Sequence, residues 1–220
     1  MMRAQGRSTY TRLIKATQVE LWERGFKAAR LDRIAVRAGV TKGALYHHFP
    51  DKRSLALAAL METMDRTIDE LWIQPLAADG DPLPRLSAGL AHHIATGAAD
   101  IHRHLPRLIA DFAAHDPATH LSISERLAHG RKRLAAGLAR ARHAGFVRAD
   151  IDCDAAALFI LSSWEGCQEA VRYAHPAILF GCGQELLRYI GALRGHADRR
   201  VTDPSGSWPA HFADTSPSAA

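Results

Sequence analysis

Long apolar runs are missing from this chain. No stretch of 18 apolar residues occurs among its 220, so no membrane-spanning helix is expected. Cysteine is scarce and odd in number. Cys153, Cys167 and Cys182 cannot build a disulfide framework and point to a reducing compartment. Cys153 and Cys182 have no basic neighbours in sequence, so a lowered thiol pKa and a redox switch are not expected. The opening MMRAQGRSTY is basic with no apolar core behind it, unlike a secretory leader, and predicts a cytoplasmic protein. Catalytic signatures are missing as well: there is no Walker loop, G-x-S-x-G elbow, H-E-x-x-H pair or dinucleotide fingerprint. His115-Asp116 has no identifiable nucleophile beside it. Neither an enzyme nor a cofactor is expected.

Acidic charge is short in one place only. Residues 1–56 hold 12 Lys and Arg against Glu20, Glu23, Asp32 and Asp51, a net +8, while the remainder nets −3 within a whole-chain +5. Such a footprint suits nucleic acid, the plain alternative being a solvated basic face. The same segment contains LDRIAVRAGVTKGALYHHFPDK, Leu31 to Lys52. Ile34 and Ala35 put apolar groups on one face of a short helix, and Gly39 stands where a left-handed residue closes it. Thr41 can cap a following helix whose inward positions are Leu45 and Phe49. Two short helices joined this way form a helix-turn-helix, whose second helix enters the DNA major groove.

No strand pattern competes with helix anywhere. Leu13, Ala16, Thr17 and Leu21 recur at helical steps from Thr9 to Arg24, and Gly25 stops the run. Asp51 can cap a long fourth helix carrying Leu55, Leu57, Leu60, Met61, Met64, Ile68 and Leu71 on one face. Further helices are expected from Leu83 to about His102, around Leu108 to Phe112, from Ala118 to Ala144, from Ala155 to Tyr173 with Asp152 or Asp154 as cap, and from Pro176 to Arg194. The fold class is therefore all-α, with about nine helices: three in an N-terminal basic module with the helix-turn-helix and six behind it. The expected divisions are a helix-turn-helix domain over 1–53, a helical domain over 54–197, and a disordered Pro- and Ser-rich tail over 198–220.

On Leu13, Ala16, Leu21, Gly25 and Phe26, then Ile34-Ala35, Ala38-Gly39-Val40, Gly43, Leu45-Tyr46-His47-His48-Phe49 and Lys52, the chain resembles the TetR family of bacterial transcriptional regulators. The motif covers about 45 residues in register; behind it the resemblance is one of helix number and length. It implies that Lys42, Gly43 and Ala44 face base edges. There Lys42 donates to guanine, Ala44 touches a thymine methyl, and Gly43 permits close approach. It places Thr41, Tyr46, His47, His48 and Lys52 at phosphates, with Tyr46 alternatively packed between helices. Arg3, Arg7 and Arg12 form an arm towards the backbone or minor groove. The departure is Arg30, which stands where the family has a Ser or Thr cap. Asp32 compensates through the helix dipole, and Arg30 is expected to exchange capping for a phosphate contact.

The resemblance further implies a homodimer on double-stranded operator DNA and a small-molecule effector that releases the DNA. It implies a repressor, whereas an architectural, chromosome-marking protein without an inducer would need the same basic module alone. Met61, Met64, Ile68, Trp72, His93, Phe112, Phe159 and Trp164 are the expected effector-pocket walls, plain core being the alternative. Leu158, Ser162, Gly166, Ile178, Leu186, Tyr189 and Ile190, with Ser163 and Leu179, are the expected dimer face. Eight of the 13 histidines fall between His92 and His143. His92-His93 and His102-His104 splay apart on a helix, so no metal site is expected and a polar pocket or wet surface is. Arg131-Lys132-Arg133 reads as a solvated helix face.

Overall fold

The computed structural model describes residues 2–95, 108–114, 116–170 and 177–195 (the side chains of 2–5, 177 and 179 excepted). Within them the chain is all-α: α1 (Met2–Ala28), α2 (Leu31–Ala38), α3 (Lys42–His48), α4 (Lys52–Ile68), α5 (Gln74–Ala77), α6 (Leu83–Ala95), α7 (108–113), α8 (Pro117–His143), α9 (Cys153–Ala170) and α10 (Ala177–Ala192). The additional helix beyond the expected nine is α5, four residues long. Non-helical pairing among the described residues is one isolated antiparallel bridge, Val147 to Arg194. His102, His104, His115 and the tail from 198 lie outside the described residues, as does the last third of the helix expected to reach His102.

The chain divides into two compact units, one of residues 1–69 with 100–130 and one of residues 70–99 with 131–220. The first buries Leu13, Ile14 and Leu21 of α1 with Ile34, Leu45, Phe49, Leu55, Leu60, Met64 and Phe112. Each such side chain taken fully from water contributes about 1.5–3 kcal/mol. The second unit buries Trp72, Leu83, Leu86 and Leu90 with Leu134, Leu138, Ile160, Trp164, Leu186 and Ile190.

Local chemistry sets the helix boundaries. Gly25 breaks α1 at φ 70°, ψ 170°, and residues 26–28 resume it. The helix begins at Met2, so residues 2–8, with Arg3 and Arg7 of the expected arm, form its first turns. Gly39 takes φ 62°, ψ 41°, and the N–H groups of Gly39 and Val40 close α2 on the carbonyls of Val36 and Ala35 at 3.0 Å each. Asp51 caps α4 in a reciprocal box: Ser54 N–H donates to Asp51 Oδ1 at 2.7 Å, and Asp51 N–H donates to Ser54 Oγ at 3.3 Å. Asp152, not Asp154, caps α9, accepting from the N–H groups of Asp154 and Ala155. The fourth helix does not run on to Leu71 as α-helix. It passes at Asp69–Ile73 into a π-helical turn, which buries the consecutive residues Leu71 and Trp72. Pro75 follows and has no N–H to give to the carbonyl of Leu71, so the regular ladder cannot continue there.

Candidate nucleic-acid interface

Helix α3 is anchored on one side and open on the other. Leu45 is fully buried, and Phe49 behind it is buried against Tyr10 of α1 at 5.3 Å between ring centroids. Thr41 Oγ accepts from Ala44 N–H at 3.2 Å, which fixes the start of the helix. The outward side carries Lys42, Gly43, Tyr46 and His47, all exposed. Tyr46 is 54% exposed, so it points away from the helix packing rather than into it. A Cβ on Gly43 would meet only Thr41 Oγ at 3.9 Å. Internal packing therefore does not require glycine at this position. His48 differs from its neighbour: it is half-buried, edge-on to Tyr10 at 6.4 Å. Tyr10, which no sequence signal marked, buttresses the end of α3.

The acids of this segment are all engaged within it. Arg37 forks onto Glu23 at 3.1 and 2.8 Å, joining α2 to α1. The fork holds the Glu23 carboxyl below the usual carboxylate range. Glu20 is fully buried and faces Arg33 at 3.3 Å and Arg24 at 3.7 Å. Arg30 stands at the N-cap of α2 without capping it and grips Asp32 through Nε at 3.1 Å and an outer nitrogen at 2.8 Å. That hydrogen bonding, helped by the backbone N–H of Arg33, lowers the Asp32 pKa, so Asp32 stays charged in the first turn of α2. Arg30, Asp32, Lys42 and Tyr46 together border a surface pocket of about 330 Å³.

Lys52, expected at a phosphate, is engaged within the chain. Its ammonium donates to the carbonyls of Ala29 at 3.0 Å and Lys27 at 3.2 Å and lies 4.8 Å from the Phe26 ring centroid. Arg53 lies over Phe112 at 5.1 Å. Gln18, also unmarked in sequence, is buried and donates to Thr63 Oγ at 2.9 Å, linking α1 to α4.

The expected effector walls do not form one set. Met61, Met64 and Phe112 belong to the core of the first unit, and Ile68 packs against Gly130 there. In the second unit Trp164 stands edge-on to Trp72 at 6.2 Å and to His93 at 5.4 Å. Burial, with a small contribution from His92, lowers the pKa of His93 to about 4. Phe159 is half-exposed and lies against Tyr189 at 4.4 Å.

The expected dimer face divides too. Leu158 and Ile178 are exposed at 53% and 38%, and Ser162 and Gly166 are exposed beside them. Leu186 and Ile190 are covered by the core of their own unit, so their burial needs no second copy. Tyr189 is half-buried, and Leu179 lies outside the described side chains. No helix among the described residues is long and apolar enough to cross a membrane.

Residues 13–59, which include all of α2 and α3, match the family described as bacterial regulatory proteins, tetR family. The chain is 38% identical over 58 residues to the transposon Tn10 TetC protein of Escherichia coli, a stretch covering 26% of this chain and 29% of that one. It is 41% identical over 78 residues to the HTH-type transcriptional activator FasR of Mycolicibacterium smegmatis, covering 36% and 35%. The matched stretch thus spans about a third of these relatives. Over nearly the whole chain the fold follows that of SmeT in its complex with triclosan, with TM-score 0.68, 23% identity, and 91% and 97% of the two chains covered. Residues 13–59 thus carry the sequence pattern of the tetR family of bacterial regulatory proteins, and the all-helical fold around them is similar to that of SmeT.

Proposed function

We propose that the chain is a sequence-specific DNA-binding transcriptional regulator, a cytoplasmic homodimeric repressor that leaves a palindromic operator when a small-molecule effector binds. The observation that carries this reading is the capped helix α3, with Leu45 buried while Lys42, Gly43 and Tyr46 are presented outward. Lys42, Gly43 and Ala44 read bases, and Thr41, Tyr46, His47, His48 and Arg30 hold phosphates. The exposed residues Leu158, Ser162, Gly166 and Ile178 supply the face for a second copy. Trp72, His93 and Trp164 supply an aromatic wall with one polar tip for an effector. SmeT, a structural relative, is described in complex with the small molecule triclosan.

Selection of bound sequences from random DNA tests the reading. A palindromic motif is expected, and Lys42→Ala combined with Tyr46→Ala should lose it while remaining folded and dimeric. Featureless enrichment would replace the regulator with an architectural DNA-binding protein. A reporter placed behind the motif should fall when the chain is expressed; a rise would make it an activator, as FasR is described.

A further inference from the structure

Two cysteines lie together in the second unit. Cys167 of α9 and Cys182 of α10 both line a cavity of about 770 Å³. Its other walls are largely apolar, with Phe159, Ile178 and Leu186 among them. Gly166 and Gly181 leave bare backbone at the rim, where an added Cβ would meet nothing within 4 Å. Cys167 is buried and Cys182 half-buried. Burial and a hydrogen bond with the Cys182 thiol push the Cys167 thiol up to about 12.

We propose that Cys167 and Cys182 form a two-coordinate site for a soft divalent cation of the mercury(II) class. Three properties select that chemistry. Thiolates are soft ligands and favour soft metals. Among the described residues the donor set is two: Glu185, the carboxylate on the cavity wall, is paired with Arg188, and no group of three His, Cys, Asp or Glu could hold a metal. Cations that require four ligands, as zinc does, are thereby disfavoured. Two thiolates around a divalent cation also give a neutral unit, which an apolar cavity accepts at far lower cost than a residual charge. The step is balanced without redox chemistry: two S–H bonds break, two sulfur–metal bonds form, and both protons leave to solvent. This reading does not depend on the DNA-binding head.

The test is titration of the full chain with mercury(II) buffered by excess glutathione, in a Cys153→Ser background that leaves only the paired thiols. One equivalent should consume both thiols and displace two glutathione thiolates, which take up the two protons. Cys167→Ser and Cys182→Ser, each in that background, should surrender the metal to glutathione at least about tenfold more readily, because the second thiolate acts at high effective concentration. Cys167→Ala replaces the serine variant if that one does not fold. Uptake of two equivalents, one per thiol, or equal retention by the single-thiol variants, overturns the site.

Discussion

Lys52 donates from its ammonium to the carbonyl of Ala29 at 3.0 Å. Lys27 O is a second acceptor at 3.2 Å, and the Phe26 ring lies beneath the charge. Lysine at the first position of α4 therefore fastens the end of α1 and the entry to α2. Two of its three N–H donors are thereby engaged within the chain.

The prediction is a stability effect in place of a phosphate effect. Lys52→Met keeps the aliphatic stem and removes hydrogen bonds from a charged donor, each worth about 1.5–3 kcal/mol. The melting temperature should fall by several degrees. The dependence of operator affinity on salt should keep its slope, measured where the variant is still folded. Loss of a true phosphate contact would lower that slope by about 1.

Glu20 is the buried charge of the head, with its two arginine partners each 42% exposed. The carboxylate bears the desolvation cost while Arg24 and Arg33 remain largely wet. Exchanging Glu20 for leucine should leave stability within about 1 kcal/mol of the parent or raise it, since buried pairs are often replaceable by apolar groups. Arg33→Ala should cost more, about 1–3 kcal/mol, by leaving the carboxylate with Arg24 alone at 3.7 Å. Chemical denaturation of the two variants decides; a leucine variant weaker than Arg33→Ala would show the pair to be net stabilising.

What the sequence made legible was local chemistry. The glycine closing α2, the Thr41 and Asp51 caps, and the inward placement of Leu45 and Phe49 all follow from interactions within about four residues. The long-range choices were not legible. Lys52 could reach a phosphate or the carbonyls of residues 27 and 29, and only folding puts those carbonyls within reach. Helical periodicity places Leu186 and Ile190 on an apolar face without saying whether their own unit or a second copy covers it. The same ambiguity let Met61, Met64 and Phe112 read as pocket walls, although they are core. The pairing of Cys167 with Cys182 across two helices has no periodic signature at all.

Gly137 marks a close approach in the second unit. A Cβ built there would lie 2.7 Å from Leu76 Cδ1 and 3.0 Å from Leu76 Cβ. The second of those atoms is fixed to the backbone and cannot swing aside. Gly137→Ala should destabilise the chain by about 1–3 kcal/mol through overpacking, against the small gain alanine brings to a helix. Leu76→Ala alone should cost about 2–5 kcal/mol. The double variant should cost less than the two together, because each relieves the defect of the other. Strict additivity in thermal unfolding would place the clash elsewhere.

His93 gives the second unit a pH dependence of defined sign. Its pKa falls from 6.5 to about 4 on folding, chiefly because burial disfavours the charged ring. Between those values the unfolded chain binds a proton that the folded chain does not. The stabilising contribution is therefore complete above pH 6.5 and is lost progressively as pH falls towards 4. Each pKa unit corresponds to about 1.4 kcal/mol, and partial exposure reduces the total to ~2 kcal/mol. His93→Phe keeps a ring beside Trp164 and removes the titration. The stability of the parent relative to this variant should be flat from pH 7 to 8 and should decline from pH 6.5 to 4.5. Parallel curves across that window would mean that His93 titrates alike in the folded and unfolded chains.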